Sequence, residues 1–271
     1  RPSRAFHLVL TGSVSMRRRG RRIRTITAPG GVGFLSLLAR DGGGTEAVAD
    51  TRTETFELRA DAMDELFEDY FPVVLWTLRW LAERLIEENL SQEPAPFVAP
   101  EDGYGKLVGD RELGIVERIF LLRQTRAFMH ANVNSTARLA RRMREVRVPA
   151  GETIWRPNDE ADGTIFVVKG MMKLSWNDGA TVQDIGPGYV VGGAEAMSGL
   201  PRWNRLVTTE PALFLHGSRE ALIDMFEDDL EVALQFMSML ANLLLQSWDR
   251  RAERAAAGGA LPGEPALEPT S

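Results

Sequence analysis

The chain has 271 residues, 44% of them hydrophobic and 26% charged, with a formal net charge of −6. That length holds one large or two ordinary domains with real cores, and the negative balance argues against general affinity for nucleic acid. The absence of cysteine excludes disulfides, thiolate metal sites and cysteine nucleophiles, and His7, His130 and His216 lie too far apart in sequence to suggest a histidine metal site.

From the start of the chain, Phe6-His7-Leu8-Val9-Leu10-Thr11-Gly12 alternates like a strand that ends in a turn. Arg17 to Arg24 is a basic run around Gly20, expected to be a solvated hairpin tip. Gly42-Gly43-Gly44 reads as a turn rather than a nucleotide loop. A helix is expected over Phe71 to Glu88, with Val74, Leu78, Leu81 and Leu85 on one face. Trp76 and Trp80 on that helix are expected in a core, or failing that in an interface. Ser91 to Asp110 is rich in Pro, Gly and acidic residues and reads as a linker.

Beyond the linker, helices are expected at Leu113 to Leu122 and Asn132 to Arg144, the second with its N-cap at Asn134 or Ser135. Strand-like segments follow at Val146 to Val148, Thr153 to Trp155 and Thr164 to Lys169. A last helix is expected over Leu230 to Arg250, with Leu234, Met237, Leu240, Leu244 and Trp248 on one face. Residues 251–271 are Ala, Gly, Pro and Glu for the most part and read as disordered. The longest apolar stretch, Phe71 to Leu81, is interrupted by Thr77 and Arg79, and no signal peptide is recognisable. No membrane segment is therefore expected, and a cytoplasmic location fits.

The most informative feature is an internal repeat. Gly12 and Gly170 are 158 residues apart, and Pro29-Gly30 keeps that offset to Pro187-Gly188. From Gly33 and Gly192 onward the offset is 159, through Phe67-Glu68-Asp69 and Phe226-Glu227-Asp228 to the closing helices. Two copies of one domain are implied, each of short strands followed by a helix. The expected fold class is mainly β with α (α+β), two jelly-roll barrels each with a closing helix. Copy one has no counterpart to Leu113 through Trp155, so it is truncated at its N-terminus, and its first strands are expected to precede Arg1. The domains are then 1–90, a linker over 91–110, 111–250, and a tail over 251–271.

The order Pro149-Ala150-Gly151-Glu152, strand, turn, strand, together with Gly186-Pro187-Gly188 and the run Gly192 to Asn204, resembles the cyclic-nucleotide-binding domain family. The resemblance implies a phosphate cassette at Gly192, Gly193, Ala194, Glu195, Ala196, Arg202, Trp203 and Asn204. Arg202 stands where the family's phosphate-binding arginine stands. Gly193 stands where the ribose-binding glutamate stands, so the sugar partner is absent. Glu195 is expected to point away from that place, and Trp203 to fill the pocket. In copy one the cassette is degenerate: Gly33 is kept, Phe34 takes the glutamate position, and the arginine position falls near Gly43.

These residues imply a regulatory module and no enzyme. No catalytic histidine, phosphate loop, serine elbow or zinc motif is recognisable, and His130 has no partner at useful spacing. No metal and no cofactor are expected, with cyclic AMP or cyclic GMP as candidate ligand. The second copy would bind a cyclic nucleotide or related anion weakly or with altered specificity. The alternative is a ligand-free scaffold with two degenerate pockets, self-associating or docking a protein through the closing helices. Regulators of the catabolite-activator type resemble this domain but add a helix-turn-helix, and only the Ala/Gly/Pro tail follows Arg254.

Overall fold

The computed structural model describes residues 4–18, 20–40, 44–90, 109, 111–125, 128–129 and 131–256. His130, Gly42, Gly43, nearly all of the linker and residues 257–271 lie outside the described residues. The chain divides into two compact units, one of residues 1–64 with 241–271, the other of residues 65–240.

The first unit begins with β1 (Ala5–Thr11), β2 (Ser13–Arg18), β3 (Arg21–Thr27) and β4 (Gly30–Val32). A short helix, α1 (Phe34–Leu38), precedes β5 (Thr45–Ala49) and β6 (Glu54–Arg59). The strands form two antiparallel three-stranded sheets, ordered β4-β1-β6 and β3-β2-β5. Alternation along β1 sends Val9 inward, where it packs with Val14, Met16, Ile26 and Val32.

The basic run forms the β2–β3 hairpin, as expected, with Gly20 at φ 75. Arg17, Arg22 and Arg24 are exposed, but Arg18 is not. It is buried in a two-bond ion pair with Asp249, Nε to Oδ1 at 2.6 Å and Nη2 to Oδ2 at 2.9 Å. The solvated reading therefore fails for Arg18, because the side-chain carboxylate of Asp249 meets it.

In the second unit, α3 (Phe71–Leu90) follows α2 (Ala60–Asp69), and α4 (Ile115–Arg123) and α5 (Val133–Arg142) form a pair. The N-cap of α5 is Asn132, whose side chain accepts from the backbone N–H of Asn134 and Ser135. The cap was expected at one of those two residues; it lies upstream because Asn132 has the extended backbone a cap needs. Eight strands follow: β7 (Arg144–Val148), β8 (Thr153–Trp155), β9 (Gly163–Lys169), β10 (Met172–Trp176), β11 (Thr181–Ile185), β12 (Val190–Val191), β13 (Arg205–Thr208) and β14 (Ala212–Ser218). Between β12 and β13 lies α6 (Gly193–Ser198); after β14 come α7 (Arg219–Asp228) and α8 (Leu230–Ala256).

The eight strands make two antiparallel sheets, β11-β10-β13-β8 and β12-β9-β14-β7. Ile165 and Val167 of β9 face the core between the sheets, while Phe166 faces outward against Phe128, ring centres 5.4 Å apart. The fold is mostly β with helices, but the described strands form four separate sheets and no closed barrel. The expectation of barrels is corrected accordingly: among the described residues each unit holds two separate sheets.

The buried stripe of α8 runs Val232, Phe236, Met237, Leu240, Leu244 and Leu245, and Leu234 is only half-buried. The helix extends to Ala256, six residues into the stretch read as tail. Leu230–Arg250 has a mean hydropathy of 1.2, the length and composition of a membrane span, and half of it is buried. It exceeds the Phe71 to Leu81 stretch that the sequence reading singled out. On α3, Trp76 is 60% exposed, against the expectation of a core position.

Candidate functional site

The site begins with the turn after β11, where Tyr189 N–H donates to Gly186 O at 3.1 Å and Gly188 N–H to Val167 O at 2.9 Å. The two-residue strand β12 then delivers the chain to Gly192, whose φ of 82 only glycine adopts easily. Gly192 starts α6, and Gly199, at φ 76, ends it. The space around Gly192 is as demanding as its backbone, since a Cβ there would lie 2.4 Å from Arg202 Nη1.

Arg202 is 2% exposed. Its Nη1 donates to Gly192 O at 3.0 Å and its Nη2 to Gly163 O at 2.7 Å, with Asp162 Oδ1 at 3.4 Å. The guanidinium carbon lies 4.2 Å from the ring centre of Trp155, a cation–π geometry. Burial pushes the arginine pKa below its ordinary value, and the charges of Glu195 and Asp162 partly oppose that push. Arg202 Nε is buried with no partner among the described residues.

A second buried chain runs alongside. Trp155 Nε1 donates to Asn204 Oδ1 at 2.7 Å, and Asn204 Nδ2 to Glu195 Oε1 at 2.8 Å. Glu195 and Asn204 are 5% and 1% exposed. A carboxylate on a short helix is thereby held inside by an amide, close enough to Arg202 to act on its charge. Trp203 packs against the core, its ring edge-on to Trp176 at 5.3 Å. The indole N–H groups of both tryptophans are buried without a partner among the described residues.

The structure thus brings together Gly192, Glu195, Arg202, Trp203 and Asn204, and adds Trp155, Asp162 and Gly163, which the sequence reading missed. Trp155 was visible as the end of a strand, but no spacing rule links it to Arg202. Gly193 lies on the first turn of α6 at an ordinary φ, where a Cβ would meet Thr164 Oγ1 at 3.4 Å. Ala194 and Ala196 complete the turn, with Ala196 N–H donating to Gly192 O at 3.1 Å. The helix α3 lies against α6.

A cavity of about 380 Å³ borders Asp162 and is lined also by Arg144, His216 and Arg219. Neither Arg202 nor Trp203 lines it. His216 Nε2 stands 3.6 Å from Asp162 Oδ2, and burial pushes the imidazole pKa down.

In the first unit, Gly33 repeats the geometry of Gly192, with φ 88 and ψ −6 ahead of α1. Phe34 opens that helix and packs on Phe6, ring centres 5.3 Å apart. No group of three or more metal-ligating side chains occurs among the described residues.

No curated protein sequence matches the chain. Among solved structures, the chain is similar to the sensor domain of the transcriptional regulator DNR from Pseudomonas aeruginosa, with 16% identity and a TM-score of 0.46, over 50% of this chain and 93% of that one. A putative cyclic nucleotide-binding protein from Geobacter metallireducens is similar at 21% identity and a TM-score of 0.41, over 46% of this chain and 94% of that one. The regulatory domain of Toxoplasma gondii PKA, crystallised with cAMP, is similar at 12% identity and a TM-score of 0.38, over 94% of this chain and 79% of that one. Residues 145–229, from β7 to the end of α7, match the family model of the cyclic nucleotide-binding domain.

Proposed function

We propose that the chain is a non-enzymatic regulatory module built of two cyclic-nucleotide-binding-type repeats, in which the second pocket is held shut by its own side chains. The observation that carries this reading is the state of Arg202. A phosphate-binding arginine must offer its fork to a ligand, but this one is 2% exposed and spends both terminal nitrogens on Gly192 O and Gly163 O. Trp203, packed against Trp176, occupies interior space that a ligand would need. Gly193 supplies no carboxylate for a ribose.

A cyclic nucleotide would have to displace these contacts, so its affinity is weak. Titration of the protein with cyclic AMP and cyclic GMP by calorimetry is expected to give no dissociation constant tighter than about 1 mM. A micromolar constant abolished by Arg202→Ala would overturn the closed-pocket reading. The working surfaces are then the protein's exterior and its closing helices, through which a protein partner or a second copy docks.

Support for two repeats comes from backbone detail beyond the glycine spacing. A Cβ on Gly12 would lie 2.4 Å from Arg52 O, and one on Gly170 2.4 Å from Pro211 O. Both glycines have φ of 85.

A second reading, an anion binder of altered specificity, is favoured by three buried donors. Arg202 Nε, Trp176 Nε1 and Trp203 Nε1 have no acceptor among the described residues, and leaving such groups unpaired costs roughly 1–3 kcal/mol each. Thermal shift with millimolar sulfate, phosphate and nucleoside cyclic phosphates separates the two: stabilisation by the small anions alone favours this second reading.

A further inference from the structure

The cavity beside Asp162 lies at one end of the sheets of the second unit, and the strand register puts it there. Phe214 of β14 packs in the core between the sheets, so His216, two residues on, shares its face just beyond that core. Arg144 of β7 stands directly opposite His216. Arg144 Nη2 lies 3.4 Å from His216 Nδ1, and His216 Nε2 lies 3.6 Å from Asp162 Oδ2. The ring sits against Gly163, where a Cβ would lie 3.0 Å from Nε2. Arginine, histidine and aspartate thus form one held part of the lining.

Another part comes from the end of α6 and the start of α7. A Cβ on Gly199 would lie 3.2 Å from Arg219 Nη2 and 3.4 Å from Nη1, so the guanidinium rests close against this glycine. The backbone N–H of Arg219 donates to Asp162 O at 2.9 Å, yet the two side chains make no ion pair. The Asp162 carboxylate turns to His216 and, at 3.4 Å, to Arg202 Nη2 instead. Among the described residues, the side chains of Arg219 and Glu160, both in the lining, have no hydrogen-bond or ion-pair partner. Ala161, Leu200 and Pro201 add apolar surface.

The volume of about 380 Å³ is that of a small-molecule site. A ligand of one sign would meet attraction and repulsion together. An anion drawn to Arg219 would face Glu160 and Asp162, and a cation drawn to those carboxylates would face Arg144 and Arg219. A molecule that carries both charges can set each end against its opposite, in charge-assisted hydrogen bonds.

We propose that this cavity binds a small zwitterion, an amine and a carboxylate on one short chain, with the carboxylate on Arg219 and the amine on Glu160 and Asp162. The site is separate from the cassette, since neither Arg202 nor Trp203 lines it, and it holds whether or not the cassette takes a cyclic nucleotide.

The test titrates the full chain with glycine, β-alanine, 4-aminobutyrate and 6-aminohexanoate up to about 10 mM, and follows the imidazole signals by NMR. The chain has three histidines, His7, His130 and His216, and His216→Gln assigns the one in the cavity lining. At least one probe is expected to shift the His216 signal with a midpoint below about 1 mM, and to leave the other two in place. The carboxylate alone and the amine alone, which for 4-aminobutyrate are butyrate and butylamine, are expected to bind at least about tenfold more weakly. Arg219→Gln and Glu160→Gln are each expected to weaken the zwitterion by about the same factor. No shift of His216 with any probe would overturn the proposal. So would equal binding of the carboxylate or the amine alone, which would make the cavity a site for a simple ion. Equal movement of all three histidines, the mark of a general salt effect, or unchanged binding in both variants would overturn it as well.

Discussion

Arg202 and Gly192 hold each other in place: the arginine donates to the Gly192 carbonyl at 3.0 Å, and the missing Cβ of Gly192 leaves the room the guanidinium occupies. The left-handed φ of 82 at Gly192 directs the chain into α6, so a single arginine ties the start of that helix to Gly163 at the start of β9. Arg202 is in this sense a structural residue.

Arg202→Ala is therefore expected to destabilise the second unit by about 3 kcal/mol or more, because the carbonyls of Gly163 and Gly192 each lose a buried charged donor, Gly192 O keeping only Ala196 N–H, and a void remains. Urea denaturation measures it. A loss below about 0.5 kcal/mol, as for an ordinary surface substitution, would show that the arginine is not built into the fold.

Gly192→Ala and Gly193→Ala are adjacent changes with opposite expected outcomes. The first puts a Cβ at 2.4 Å from Arg202 Nη1 on a backbone with positive φ, and is expected to cost about 1–3 kcal/mol. The second adds a methyl in ordinary contact at 3.4 Å within a helical turn, and is expected to be neutral or to stabilise by up to about 1 kcal/mol. Thermal melts of the two variants make the comparison.

Trp203→Ala is expected to lower stability by about 2–3 kcal/mol and to open the interior of the second unit. Combined with Gly193→Glu, it restores both space and a carboxylate. Calorimetry with cyclic AMP is expected to show tighter binding for the double variant than for the parent.

His216 is expected to make stability fall in mild acid. Burial is the main cause of its lowered pKa, opposed by Asp162 and reinforced by Arg144. The folded state therefore takes up this proton at lower pH than the unfolded state does. The contribution is complete above the unfolded value of about 6.5 and declines as pH falls from there to the lower folded value. In His216→Gln this part of the pH dependence of urea midpoints is expected to disappear.

The pair of Arg18 and Asp249 is buried on both sides, at 7% and 9% exposure. Removing either partner alone is expected to cost about 3–5 kcal/mol, since a buried charge loses this two-bond pairing. Arg18→Met with Asp249→Leu is expected to cost clearly less than the sum of the single changes, which a double-mutant cycle measures.

Much of this architecture was legible from punctuation. Gly12 with Gly170, and Gly33 with Gly192, have matching positive φ, because a left-handed backbone and a close approach leave few alternatives to glycine; Gly30 and Gly188, also at the fixed offset, differ, since of the two only Gly188 has a positive φ. The run from Gly192 to Asn204 was singled out by a family resemblance. Spacing gives a residue's station on the chain and not the direction of its side chain. It showed where Arg202 stands, but not that it turns onto Gly192 O and Gly163 O. The same limit hid the inward course of Glu195, which Asn204 draws inside, and the ion pair of Arg18, whose partner is 231 residues away. The exposure of Trp76 was hidden too, since helical periodicity marks faces without saying what covers them.

That long-range ion pair orders events during synthesis. The first unit contains residues 1–64 and 241–271, and Arg18 meets its partner only after 231 further residues have been added. At the usual ~5–20 residues per second this is a wait of roughly 10–50 s. The unit that contains the β2–β5 sheet is thus completed only after the other unit has been made, and throughout that interval a nascent chain carries Arg18 without the helix that brings Asp249 to it.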